Sequence, residues 1–458
     1  MQIPTIKNSK PAATMNLFFD GLFIFAIGCF IIAKKLHENK DHLLKIDSST
    51  IINLMLNLIK KNTQNITQNI KRDPMMYVLL FLAGSFFFLY YLTDPARPAG
   101  IFRGFLGFRD IAQYPLGWFG YYDQGEYLKI ARTLASFNFS ELNTTYSYGL
   151  GYPLVAVPAL WLGFNTDPFV FFNFATYLFT VYAVYRVAKE LLSPFAGMLA
   201  GFATLFASPL IVYTAQPWNS SVCLFGMSGI LLVMLKKNVN WRHGLIVGFL
   251  AGWAFAARYI DVIWFVPLAA ASIYRGSFKQ WMKVVAFMIV GILLWVLPVL
   301  YSHYKIFGSP LKTPYVNHIG LNDDSNDQQL NAYKLERIPN AAVGMFLGPR
   351  LAGAADNDRG WFITMFWVLT AIPGAIIIFR RSERRLFWGT FITVTIVAYL
   401  FYLSFRASSP ISLKYGVLHY FKMFWPGLII LSVAFFDRIL QKQVINKPKN
   451  LKKSKLPR

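Results

Sequence analysis

Asp123 and Glu126 are the side chains best placed to do chemistry. They stand in the stretch YYDQGEYLKIA (121–131), between two tyrosines and the start of an amphipathic helix. A carboxylate here can take a proton from an attacking hydroxyl, or orient it. The bland alternative is a capping box. Asp123 at the N-cap would bond an early backbone N–H, and Glu126 at N3 would reach back to the N-cap N–H. Helical spacing puts Tyr127, Ile130, Ala131 and Leu134 on one face, an amphipathic helix suited to the membrane surface. Asp123 lies one turn before Tyr127 and so heads that apolar stripe. An acid aimed along a buried face is costly unless it is paired or used. The residues alone leave capping and chemistry both open.

Candidate cations are Arg258, Lys312, Arg350, Arg359 and His419. Arg258 ends an apolar run in AARYID, with Asp261 three residues on. It reads either as an interfacial arginine snorkelling and pairing with Asp261, or as a contact for an anion. Arg359, in DNDRGWF, has Asp356 and Asp358 beside it. His303, His318 and His419 stand near membrane boundaries, where a lone histidine reads as an interfacial hydrogen-bonder. His419 stands out slightly, flanked by Tyr415, Lys422 and Trp425. Asp123, Glu126 and the 356–358 acids are too scattered for ligand spacing, so no metal is expected, with a divalent ion as the alternative. Cys29 and Cys223 have no metal spacing either, and no Gly-rich nucleotide cradle is evident.

These residues must be positioned by membrane helices. The chain has 458 residues, 55% hydrophobic and only 14% charged, too little polar surface for a soluble protein of this size. Its mean hydropathy is +0.42. Apolar runs recur at 16–33, 76–92, 151–163, 168–185, 194–213, 217–235, 244–257, 260–274, 283–301, 361–379, 386–404 and 418–436. The expected fold is an all-α polytopic membrane protein with roughly 10–12 transmembrane helices. Two longer segments, about 93–150 and 302–360, do not span. The expected division is an N-terminal helix plus polar linker (1–75), a membrane domain (76–437) and a basic tail (438–458).

The net charge of +24 comes from lysines and arginines between and after the apolar runs. That pattern reads as the positive-inside rule and contact with anionic lipids, not as nucleic-acid binding. Placing the clusters at 34–72, 236–242, 275–283, 380–385 and 438–458 in the cytoplasm leaves 93–150 and 302–360 outside. The four runs between 151 and 235 must then supply an odd number of crossings. The short, Pro-interrupted run GYPLVAVPALWLG (151–163) is the one expected not to cross.

The order acid, four residues to a tyrosine, amphipathic helix, the Tyr/Gly/Pro stretch TYSYGLGYPLVAVPALWLG (145–163) and a hydrophobic run resembles a known arrangement. It is that of the first extracytoplasmic loop of the GT-C membrane glycosyltransferases. Protein O-mannosyltransferases and the enzymes that add aminoarabinose to lipid A belong there. GLIVGFLAGWAFAARYIDVIWFVPL (244–268) resembles the family's Gly-rich helix ending in an arginine. YKIFGSPLKTPY (304–315) resembles the start of its second loop, and RGWFITMFWVLTAIPG (359–374) the helix that follows. Gln124 departs from the pattern, standing where many members have Glu.

The resemblance covers most of residues 76–437. It implies transfer of a sugar from a polyprenyl-phosphate donor to an acceptor hydroxyl, with inversion, at the extracytoplasmic face. It points to Asp123, with Glu126, as catalytic, and to Tyr127, Tyr152, Arg258, Lys312, Arg359 and His419 as substrate contacts. The acceptor would be a glycolipid, a glycan or a protein, and no cofactor is required. The location it implies is the inner membrane of a bacterium. The rival reading is a transporter or flippase of lipid-linked sugars without chemistry.

Overall fold

The computed structural model describes residues 73–93, 122–138, 141–142, 146, 148–165, 167–312, 314, 335–339, 342, 366–404 and 418–445. Every regular element among them is helical. The run at 16–33, the polar linker to 72, Arg350, Arg359, His318 and the basic tail beyond 445 lie outside the described residues, as does the side chain of His419.

The helices are α1 (Pro74–Thr93), α2 (Tyr122–Ala135), α3 (Pro153–Trp161), α4 (Val170–Leu191), α5 (Pro194–Leu205), α6 (Ser208–Ala215) and α7 (Ser220–Met234). They continue with α8 (Trp241–Ala257), α9 (Val262–Ile273), α10 (Phe278–Phe307), α11 (Ala371–Arg381), α12 (Arg385–Leu403) and α13 (Trp425–Ile445). Short 3₁₀ turns precede α9 (Tyr259–Asp261), α11 (Phe366–Thr370) and α13 (Leu418–Phe424). Among the described residues, five segments are long and apolar enough to cross a membrane: those of α1, α4, α10 and α12, and Tyr420–Gln441, which holds most of α13. Four shorter apolar helices accompany them. The chain is thus an all-helical membrane protein, as composition requires.

Among the described residues, the basic clusters at 236–242, 275–283 and 380–385 meet at one end of the bundle. Arg275 donates to the carbonyls of Val233, Met234 and Lys236 at the C-terminus of α7, at 3.2, 3.2 and 2.8 Å. Arg384 donates to the Lys236 carbonyl as well, at 3.1 Å. These guanidiniums satisfy the carbonyls that a helix end leaves without intrahelical partners. Burial, with the nearby Arg384 charge, pushes the Arg275 guanidinium down to about 10, so it stays charged at neutral pH. Asp73, just before α1, accepts from Lys189 and Tyr185 near the end of α4. Asp437 near the end of α13 accepts from Ser193.

Between 151 and 235, α4 is long enough to span and α5 and α7 are shorter apolar helices, while charge placement asks for an odd number of crossings. The fourth run is too short to span by itself. Helix α3 has nine residues, about 14 Å at 1.5 Å per residue, far less than the ~30 Å hydrocarbon core. Both its ends stay near α2. Tyr152 packs on Tyr127, and Trp161 donates to the Ala135 carbonyl at 2.9 Å. The 194–213 run, read as one helix, is two, because Pro209 cannot donate to the ladder and begins a new helix beside Ser208.

Helices α8 and α10 run parallel, with their backbones in contact along Gly244, Gly248 and Gly252. A Cβ at Gly248 would lie 2.0 Å from the Met288 carbonyl oxygen, and one at Gly244 2.3 Å from that of Val284. Small residues four apart allow this approach in a membrane, where dispersion contacts hold helices together. The pairing fixes register. It brings the end of α8, hence Arg258 and Tyr259, to the last turns of α10, hence His303.

Candidate active site

Helix α2 begins at Tyr122, so Asp123 sits within its first turn and not at the N-cap position the capping box assigns it. The half-buried Asp123 carboxylate accepts a hydrogen bond from the Tyr148 hydroxyl at 2.6 Å. Glu126 is buried and its carboxylate pairs with Lys129, one turn on, at 2.5 Å. The apolar stripe faces protein and not the membrane surface. Tyr127, Ile130, Ala131 and Leu134 join Tyr148, Tyr152, Ala156 and Val157 in one buried cluster. Tyr127 and Tyr152 are fully enclosed there. The Tyr127 ring meets Tyr148 and Tyr152 edge-on at 5.1 and 5.3 Å, and Tyr152 stacks on Phe169 at 4.5 Å.

The segment after Tyr148 is pressed onto the end of α8. Gly149 and Gly151 would each push a Cβ to within 2.4–2.6 Å of Ala256 or Ala257 backbone atoms. Gly151 N–H donates to the Ala256 carbonyl at 2.9 Å, and Trp253 donates to the Gly151 carbonyl at 2.8 Å. Only glycine permits this approach, and it places the next residue of α8, Arg258, at the same end as Asp123.

Arg258 is buried, not snorkelling. Its Nη1 lies 3.2 Å from Asp261 Oδ2, its Nη2 donates to the Tyr402 hydroxyl at 3.0 Å, and its guanidinium carbon sits 4.1 Å from the Tyr420 ring centroid. Tyr402 in turn donates to Asp261 Oδ1 at 2.9 Å, and the Cys223 thiol to Oδ2 at 2.8 Å. Lys422, wholly buried, donates to the Ser221 hydroxyl at 3.0 Å. The first turn of α7 closes this cluster, with Asn219 donating to the Ala257 carbonyl at 3.4 Å. Among the described residues, two basic side chains, Arg258 and Lys422, thus share this enclosed site with one carboxylate. Arg258 Nη1, despite its ion pair, and Ser220 Oγ make no hydrogen bond. Enclosed polar atoms of this kind are costly unless something meets them.

The sequence-predicted contacts divide. Asp123, Tyr127, Tyr152 and Arg258 come together at one end, and Lys312 lies exposed at the edge of the described chain. Lys422, noted only as a neighbour of His419, and Tyr402 and Tyr420 were not singled out as contacts, because their partners lie more than 130 residues away and leave no local pattern. His303 was read as a lone interfacial histidine. It is instead buried, 3.1 Å from both the Tyr146 and Tyr259 hydroxyls, which lie 3.0 Å apart. Burial pushes the Tyr146 phenol up to about 12, so it remains protonated at neutral pH. No three His, Cys, Asp or Glu side chains gather as a metal site among the described residues. Compared with protein-family models and with curated proteins, the chain matches none.

Proposed function

We propose that this chain is a membrane glycosyltransferase of the GT-C type, taking a sugar from a polyprenyl-phosphate donor to an acceptor hydroxyl at the extracytoplasmic face. One observation carries the reading. A half-buried carboxylate, Asp123, sits at the same end of the bundle as the enclosed Arg258–Asp261–Lys422 cluster, opposite the basic face. In this reaction the acceptor oxygen attacks the anomeric carbon, the bond to the phosphate oxygen breaks, and the phosphate leaves with added negative charge. Asp123 takes the acceptor proton, with Tyr148 holding the carboxylate in place. Arg258 and Lys422 are cationic groups enclosed at this end, and they meet the leaving phosphate. Positions 127 and 152 support the carboxylate, and the resemblance also assigns Lys312, Arg359 and His419 to substrate contact. Glu126, paired with Lys129, orients the first turn of α2. The chemistry needs no cofactor. The positive-inside pattern supports a cytoplasmic position for the basic face, in keeping with a bacterial inner membrane.

The test is transfer from a radiolabelled polyprenyl-phosphate sugar in membranes that contain the protein. Label appearing in a glycolipid, glycan or protein fraction supports the reading. Transport of the intact lipid-linked sugar across the bilayer without transfer contradicts it.

A further inference from the structure

We infer that His303 is a positioning residue for Asp123, acting through Tyr146 and Tyr148 without touching the carboxylate. The inference rests on Asp123 being the working carboxylate. His303 Nδ1 lies 3.2 Å from the Pro310 carbonyl oxygen, which can only accept, so Nδ1 carries the ring proton. In the neutral ring Nε2 is then an acceptor, 3.1 Å from each of two hydroxyls that are 3.0 Å from one another. The set closes when one tyrosine donates to the other and that one donates to Nε2. Two hydroxyls alone would satisfy each other in many orientations. A ring pinned at its far nitrogen fixes where both must stand.

Three distant parts of the chain meet at this ring. Tyr259 follows Arg258. His303 belongs to α10, whose register against α8 is set by the glycine contacts. Tyr146 lies two residues before Tyr148, whose hydroxyl holds Asp123 at 2.6 Å. Aromatic packing leaves little play, with Tyr259 edge-on to the His303 ring at 5.1 Å and Phe307 stacked on Tyr146 at 5.9 Å. Gly149 and Gly151, against the α8 backbone, stop the segment from sliding on its other side. His303 is therefore the tie that holds the Tyr148 donor in register with the Arg258 turn.

The test compares His303→Phe, which keeps an aromatic ring and loses Nε2, with His303→Gln, which retains a polar end. Tyr148→Phe is the reference for a released Asp123. Asp123 labelling by a water-soluble carbodiimide and an amine, read by peptide mass spectrometry on the full-length protein, needs no transferase activity. We expect His303→Phe to raise Asp123 labelling to the Tyr148→Phe level with Asp437 labelling unchanged, and His303→Gln to restore most of the protection. Transfer should fall about 10- to 100-fold in kcat with donor KM unchanged, the cost of a displacement near 1 Å. Wild-type Asp123 labelling in His303→Phe overturns the inference. If that variant labels Asp437 as well, it has unfolded, and Tyr146→Phe, which keeps the ring and loses the hydroxyl facing His303, decides: raised labelling at Asp123 alone upholds the inference, and the wild-type level overturns it. Absence of transfer by the wild type would count against glycosyl transfer, while the labelling result would still decide the role of His303.

Discussion

Replacing Gly248 by alanine tests the α8–α10 contact that sets the geometry of the candidate site. The added Cβ would stand 2.0 Å from the Met288 carbonyl oxygen, 2.7 Å from its carbon and 2.8 Å from its Cα. Ordinary contact begins near 3.4 Å, so the α10 backbone must retreat by about 1.4 Å. A helix carbonyl cannot swing aside as a side-chain tip can. Overpacking of this kind costs about 1–3 kcal/mol, and a gap of about 1 Å along the rest of the contact forfeits up to about half of its dispersion energy. We expect a loss of about 3 kcal/mol. Gly84→Ala is the control. Its nearest neighbours are Phe174 ring atoms at 3.6 and 3.7 Å, and alanine favours a helix by about 1 kcal/mol over glycine. The two variants should therefore move in opposite directions, about 4 kcal/mol apart. Equilibrium unfolding in mixed micelles, followed by tryptophan fluorescence, measures both. Equal stability of the two proteins would refute the close approach of α8 and α10.

Three further outcomes follow from the same geometry. Asp261→Asn removes the carboxylate facing Arg258 in an enclosed site; breaking such a pair costs about 3–5 kcal/mol, read by the same unfolding assay. Lys422→Met keeps the length and removes the amine. If Lys422 meets the donor phosphate, donor KM rises about 10- to 100-fold, the worth of a charged hydrogen bond, with folding intact; an unchanged KM would make Lys422 purely structural. A cysteine at the exposed position 165 should react with an impermeant maleimide added from outside the cell, because nine-residue α3 is too short to cross, whereas labelling only from the cytoplasm would mean that this run spans.

Much of the fold is legible in the sequence because a bilayer leaves few choices. Apolar run length and proline position predict the helices and the shortness of α3, and lysine/arginine placement predicts the meeting of the 236–242, 275–283 and 380–385 clusters at one end. The split between α5 and α6 was missed because hydropathy does not register the backbone N–H that Pro209 lacks. At the site, Asp123 stood out by local spacing, and so did Arg258 with Asp261 three residues on. The Arg258 partners Tyr402 and Tyr420, the Cys223–Asp261 bond, the Lys422–Ser221 bond and the Tyr146–Tyr259–His303 triangle join parts of the chain 38 to 201 residues apart. Such contacts depend on helix register, which the α8 glycines set, and no local pattern announces them. The stripe on α2 shows the reverse limit. Its periodicity correctly gave a buried face, but periodicity cannot tell a face buried in lipid from one buried against α3.

The most direct measurement compares wild type with Asp123→Asn, at equal amounts of folded protein, for transfer from a radiolabelled polyprenyl-phosphate sugar in membranes. Asparagine keeps an acceptor for the Tyr148 hydroxyl and removes the base. The account predicts transfer by the wild type and a loss of at least about 100-fold in the variant, the scale of positioned general-base catalysis. Equal transfer by both proteins would contradict it and leave Asp123 a structural residue of the first turn of α2.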